Sequence, residues 1–309
     1  HLRVHKSIKL WQFYMDFLQS LVDQGNEEEM KKVEKAFSQL LSLKIITPMD
    51  IMNQATFLEE WKYFERSFAV YELGINTFKY PAAFDIWKVY LNKAISFKLN
   101  TERIRDLFEQ CLHPPGDVPC PADMCKEIYI MYSDFEHHNG LLLRSIKILN
   151  SCVQALNKSL LEGSESKIVN ADKVIIYKEI VSRVEESRDI GLIRELFESI
   201  LKDDGLPTES TARFTQKFIE YEISQNEISR ARALYKFLVQ LLPRREENWK
   251  YWEEFEVKHG SEISFKEILR LKRSLDHEIG PVVEPTGFVK LTDNSQMEIH
   301  NPDEIELDM

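Results

Sequence analysis

Cys120 and Cys125 stand five apart, with His113 before them and the pair His137-His138 after. Thiols and imidazoles are zinc ligands, and four of them together would make a structural site. No Cys-x-x-Cys pair accompanies them, and that close spacing is the mark of such sites. Cys111 and Cys152 recur instead at a small-residue position of a repeat. No metal is therefore expected. Glu253-Glu254 could offer paired carboxylates for acid–base work, but such a pair on an amphipathic helix is a solvated face. There is no phosphate loop, no G-x-S-x-G elbow and no H-E-x-x-H. The sequence thus offers no catalytic residue and implies no cofactor or small-molecule ligand. Cations cluster at Lys31-Lys32, Arg230/Arg232, Arg244-Arg245 and Arg270/Lys272/Arg273. The last group runs against the acidic chain and is the best place for an RNA or partner contact. Aromatics could stack nucleotide bases, but their helical spacing assigns them to a core.

The elements that carry these residues repeat. From Ile219 the chain reads as a helix end, a turn at Gln225-Asn226, and a second helix with Ala231, Leu234, Tyr235, Leu238 and Leu241 on one face. Pro243 stops it, and an aromatic helix with Trp249, Trp252 and Phe255 follows. The apolar pair Leu234-Tyr235 has equivalents at Ala36-Phe37, Val70-Tyr71, Leu107-Phe108, Ile148-Leu149, Leu196-Phe197 and Ile268-Leu269. First members lie 34, 37, 41, 48, 38 and 34 residues apart. A minimum of about 34 is the period of a two-helix solenoid unit. Residues 113–123, with four prolines, read as one long loop, and residues 157–171 as a second that accounts for the spacing of 48. All 11 prolines fall between predicted helices, in a first turn, or in the tail, which supports the boundaries because an interior Pro costs about 3 kcal/mol.

The bulk numbers agree. The chain has 309 residues, 43% hydrophobic, enough for a long stacked core. No apolar run is long enough for a membrane span. The start, with His1, Arg3, His5 and Lys6, is not that of a signal peptide, and without an initiator Met the chain reads as part of a longer one. Four cysteines with no even framework suit a reducing compartment. Net charge is −11; residues 281–309 hold seven acids and one Lys, hence −6, leaving −5 for residues 1–280. The expected fold is an all-α, right-handed solenoid of about seven helix pairs over 1–280, with an acidic, largely disordered tail over 281–309. The repeat core is expected to hold Trp11, Tyr14, Trp87, Tyr90, Tyr129, Tyr132, Tyr235, Trp249 and Trp252. On the first helix Trp11, Tyr14, Phe17 and Leu18 share one face. Small residues such as Gly74, Cys111 and Cys152 let the partner helix approach.

The segments Tyr129–Glu136 and Trp249–Glu256, of the form Trp/Tyr-x-x-Tyr/Trp-x-x-Phe-Glu, and Ala231–Tyr235, of the form Ala-Arg-x-Leu-Tyr, resemble the HAT (half-a-TPR) repeat. Longer stretches at 55–81, 85–91, 103–112, 255–275 and 301–308 resemble the Syf-type pre-mRNA-splicing factors of the nineteen complex, whose animal relative is called XPA-binding protein two. The resemblance covers most of residues 45–308, is weakest over 140–210, and places this chain at the C-terminal portion of that longer family. It implies a non-catalytic nuclear scaffold, partnered by a crooked-neck-type HAT protein and smaller nineteen-complex subunits near snRNA or pre-mRNA. The animal relative adds a link to transcription-coupled repair. By analogy with the motif, Glu222 is expected to pair with Arg232. The rival readings are an RNA-binding HAT subunit of mRNA 3′-end processing and a TPR-like peptide-clamp adaptor, which would need a ring of Lys, Arg and Asn on its groove.

Overall fold

The structure, a computed structural model, describes residues 6–22, 27–114, 120–162 and 166–279. Among these residues every regular element is a helix, and the fold is an all-α succession of helix pairs. The helices come in antiparallel pairs: α1 (Ile8–Ser20) with α2 (Glu27–Ser42), α3 (Pro48–Glu60) with α4 (Phe64–Thr77), and α5 (Ala83–Ser96) with α6 (Thr101–Leu112). Then follow α7 (Ala122–His138) with α8 (Leu142–Leu161), α9 (Ser166–Ser187) with α10 (Ile190–Leu201), α11 (Thr208–Ser224) with α12 (Ile228–Leu241), and α13 (Glu246–His259) with α14 (Glu262–Ile279). No described helix is long and apolar enough to cross a membrane. The chain divides into two compact units, residues 1–196 and the remainder from Phe197. The expected tail at 281–309 lies outside the described residues.

Local chemistry sets the helix ends. Thr47 caps α3: its hydroxyl accepts from Asp50 N–H, the Asp50 carboxylate accepts from Thr47 N–H, and Pro48 takes the first turn. Asn100 caps α6 through Glu102 N–H. Many helices close with a left-handed residue, at Lys44, Lys62, Lys98, Gly140, Arg188 and Asn226. At Lys98 the closure is a doubled one, with Lys98 N–H donating to Ile95 O at 3.0 Å and Leu99 N–H to Ala94 O at 3.1 Å. Lysine is strained there, but its cation sits against the negative end of the helix dipole.

Three expectations are corrected. Residues 157–161 and 166–171 are helical and not part of a loop. α8 runs on to Leu161 and α9 begins at Ser166, so longer helices absorb the wide repeat spacing. Just beyond the stretch, Asp172 and Lys173 lie on the buried face of α9 beside Val169, Ile176 and Tyr177. Lys126 on α7 donates to the Asp172 carboxylate, which makes its burial tolerable. The second correction concerns α1. Tyr14 is 44% exposed, Phe17 is 52% exposed and Trp11 only half-buried; Met15 and Leu18 face inward. Among the described residues no helix precedes α1, so no ring stands across from Tyr14. The third concerns Glu222 and Arg232 and belongs with the side-chain geometry below.

The other core residues follow the repeat. Trp87, Tyr90, Tyr129, Tyr132, Tyr235, Trp249 and Trp252 are all buried. Cys111, Cys152 and Gly74 are buried at the small position. A Cβ on Gly74 would stand 2.7 Å from Ile51 Cγ2, so α3 and α4 could not approach as they do with a larger residue there.

Two stability predictions follow from these positions. Trp249 packs in a cluster with Trp252, Tyr235 and Phe255, and its indole donates to Pro243 O at 2.9 Å; Trp249→Ala is expected to lower unfolding free energy by about 3–5 kcal/mol in urea titrations. Lys98→Gly relieves about 1–2 kcal/mol of left-handed strain against the larger entropy glycine loses on folding. A net gain of about 0.5–1 kcal/mol is expected, and lower stability would show that the Lys98 charge outweighs the strain.

Candidate protein-interaction surface

Two kinds of contact recur where a second helix meets the first helix of the next pair. One is a flat ring stack. Tyr71 lies on Tyr90 with centroids 5.4 Å apart and planes 14° off parallel. Phe108 lies on Tyr132 at 4.5 Å and 9°, Phe197 on Phe218 at 4.8 Å and 8°, and Tyr235 on Trp252 at 6.4 Å and 2°. These are favourable offset geometries. The apolar marker of the repeat is thus the residue that grips the neighbouring repeat.

The other contact is ionic and sits one turn away. Arg105, three residues before Phe108, donates from Nε and Nη2 to both oxygens of Glu136, four residues after Tyr132, at 2.7 and 2.8 Å. Arg232, three before Tyr235, does the same to Glu256, four after Trp252, at 2.6 and 3.1 Å. The equal offsets follow from antiparallel helices, where stepping back a turn on one is stepping forward on the other. This overturns the pairing of Arg232 with Glu222. Arg232 shares a face with Tyr235 and so points to α13; Glu222 is approached by Arg230 at 3.9 Å instead. Glu136 is fully buried and also lies 3.3 Å from Arg144 on α8. At the α4–α5 joint the same offsets hold the apolar Phe68 and Ala94, with Phe68 5.8 Å from the Tyr90 ring, and the Tyr90 hydroxyl donates to Glu72 of α4 at 3.2 Å.

The candidate chemical residues fall into place around this frame. All four cysteines are free thiols. The Tyr80 hydroxyl donates to Cys111 O at 2.8 Å and lies 3.2 Å from its sulfur. Burial pushes the Cys111 thiol up to about 12. The neighbouring Cys125 thiol, then burial, pushes Cys152 up as well. Sequence spacing gave no sign that Cys125 and Cys152 meet, since α7 and α8 bring them together. Such thiols stay protonated and are poor nucleophiles. Among the described residues no group of three His, Cys, Asp or Glu is placed to hold a metal ion. Glu253 is half-buried and Glu254 exposed on α13. In the basic cluster, Lys272 is half-buried with its ammonium 5.8 Å from the Trp249 ring, an attraction between cation and ring. Arg270 and Arg273 lie exposed one turn apart on α14.

The first helices α5 and α7 leave a groove of about 850 Å³ between them. Ile95, Leu99, Ile130, Met131 and Phe135 form an apolar floor. Lys88 on α5 donates to Glu127 on α7 at 2.5 Å near their starts, and Lys98 and His138 stand at their ends, so the two helices run the same way. Asp134, on the wall, is bound by Arg183 of α9. Nothing in the linear sequence marked this groove, because its lining comes from residues left over once the core face is satisfied.

The repeat joints show a solenoid, and comparison of the sequence shows which one. A family model described as the Pre-mRNA-splicing factor Syf1/CRNKL1 C-terminal HAT repeat matches residues 1–282. The chain belongs to the Syf1/CRNKL1 C-terminal HAT-repeat family. Pre-mRNA-splicing factor SYF1 of Debaryomyces hansenii is 39% identical over the whole of this chain, which spans 40% of that protein. Pre-mRNA-splicing factor cwf3 of Schizosaccharomyces pombe is 36% identical over 88% of the chain, 32% of its own length. The Drosophila melanogaster pre-mRNA-splicing factor syf1 homolog is 33% identical over 88% of the chain and 28% of its length. The chain therefore spans well under half of each of these Syf1 relatives.

The ionic joints make two predictions. Arg105→Ala leaves the buried Glu136 with Arg144 alone and is expected to cost about 3 kcal/mol. For Glu256, burial raises the carboxyl pKa, but hydrogen bonds from Arg232 and Ser264 outweigh it and hold it below the ordinary carboxylate value. With the folded value below the unfolded one, the stability it contributes is complete above the unfolded pKa and is lost as pH falls through the folded one. The stability gap between wild type and Glu256→Gln should accordingly narrow as urea midpoints are measured from neutral pH down to about 3; a gap independent of pH would refute the charged pairing.

Proposed function

We propose that the chain is a non-catalytic section of a nuclear pre-mRNA-splicing factor, acting as a scaffold through protein–protein contacts. The observation that carries this is membership of the Syf1/CRNKL1 family over residues 1–282, together with relatives named as pre-mRNA-splicing factors. The physical form suits it. Stacked helix pairs expose a succession of parallel first helices, and each pair is braced only by its neighbours. Titratable groups with strong shifts are buried tyrosines and thiols or partners in the ionic joints, where structural burial accounts for them.

The partners this reading names are other spliceosomal proteins, a crooked-neck-type HAT protein and smaller nineteen-complex subunits. Arg270 and Arg273 are the residues for any contact with nearby snRNA or pre-mRNA, while Lys272 is drawn toward Trp249. The test is affinity capture of the chain from nuclear extract with and without ribonuclease. Splicing subunits are expected to be retained after ribonuclease. Loss of every partner on digestion would favour a subunit held by RNA, and recovery of chaperones alone would favour a peptide-clamp adaptor.

A further inference from the structure

The groove between α5 and α7 constrains what can fill it by size and by charge. From Glu127 to His138 the α7 wall is about 16 Å long at 1.5 Å per residue, or three helical turns. A helix of that length and about 10 Å width encloses on the order of 1,300 Å³. A groove of about 850 Å³ therefore admits one such helix lying more than half within it. The floor is apolar and only half-buried, and Met131 at its centre is unbranched and can adapt to a guest.

The charges on the walls are unequal. Glu127 is paired with Lys88 and Asp134 with Arg183. Lys98, at the far end, is exposed and has no carboxylate partner among the described residues. Beside it α5 ends at Ser96 and α7 at His138, so the negative ends of two helix dipoles face the same opening. Among the described residues, a nucleic-acid strand would find a single unpaired lysine, Lys98, for its row of phosphates, with the negative ends of two helices beside it. A helix entering antiparallel to α5 and α7 meets the opposite arrangement. Its positive N-terminal end comes to the two dipole ends, and acidic residues in its first turn, which also suit its own dipole, come to Lys98.

We propose that this groove seats a short amphipathic helix of a partner protein, antiparallel to α5 and α7, with apolar residues at i, i+4 and i+7 on the floor and a carboxylate in its first turn at Lys98. The proposal rests on the protein-scaffold reading above and names its partner chemistry. The probes are fluorescein-labelled synthetic helices of three turns with leucines at those positions and either glutamates or lysines in the first turn. They are titrated into the full chain by fluorescence anisotropy, with an oligo-uridine strand as competitor.

The glutamate helix is expected to bind about tenfold more tightly than the lysine helix. Lys98→Glu should reverse that order, and Met131→Glu should remove both, with helical circular dichroism retained. Should Met131→Glu fail to fold, hydrogen exchange on the wild-type chain reads the same contact: the glutamate helix should slow exchange within 88–99 and 127–139. Equal affinity for the two helices, indifference to Lys98→Glu, protection elsewhere, or displacement by oligo-uridine would each overturn the proposal. If any of these occurs while splicing subunits still survive ribonuclease in the capture experiment, the groove is excluded and the scaffold reading stands. If capture fails as well, both fall.

Discussion

A carboxylate with no access to water decides how these helices are stacked. Glu136 and Glu256 are buried at the ends of first helices, and an isolated buried charge costs several kcal/mol. Each is made tolerable by an arginine reaching in from the preceding pair, held by two hydrogen bonds. Such a pair roughly breaks even against apolar packing. The ring stack one turn away adds about 0.5–1.5 kcal/mol beyond the area it buries. The rings therefore supply the net attraction, and the ion pair supplies the register, since a helix displaced by one residue would strand the carboxylate. The α4–α5 joint keeps the stack of Tyr71 on Tyr90 without any ion pair, which shows that the two contacts are separable.

Close approach is the condition for both. Gly74, Cys111 and Cys152 occupy the point where paired helices come nearest. A thiol there is a small apolar side chain, and its raised pKa is a consequence of packing. Cys111 and Cys152 are thus small packing residues, and among the described residues no group of three His, Cys, Asp or Glu is placed to hold a metal ion. The left-handed turns work at the other end of the same problem. Among the described residues, Lys62, Lys98, Arg188 and Asn226 accept that conformation between the helices of a pair, because a tight turn returns the second helix to the first within reach of these contacts.

Once one face of α5 and of α7 is committed to the joints, their remaining faces stay half-exposed side by side. The α5–α7 groove is the product of that leftover surface, with Ile95, Ile130 and Met131 too apolar for open water and too far from the core to be covered. The repeat generates a surface of this sort as a by-product of its joints. The Syf1/CRNKL1 family places such surfaces in proteins named for pre-mRNA splicing.

The helix pairs, their order and most of the aromatic core were legible in the sequence, because helical period, proline placement and the recurring marker pair all depend on local rules. Several features were not. The stretch at 157–171 looked like a loop since it is polar and carries Gly and Ser, yet 157–161 belong to α8 and 166–171 to α9, with Ser159 and Val169 buried by packing between helices. Tyr14 carries the same local pattern as Tyr90 and Tyr132, yet is exposed, because burial needs a neighbour that the pattern of one helix cannot supply. Arg232 was matched to Glu222, ten positions away, when its partner is Glu256 in the next pair. Which helix an arginine faces is set by the ring stack beside it, and that is a relation between repeats. The sequence by itself determined what each helix must bury; the tertiary structure decided against whom, because partner choice depends on the distance and angle between elements that no local rule specifies.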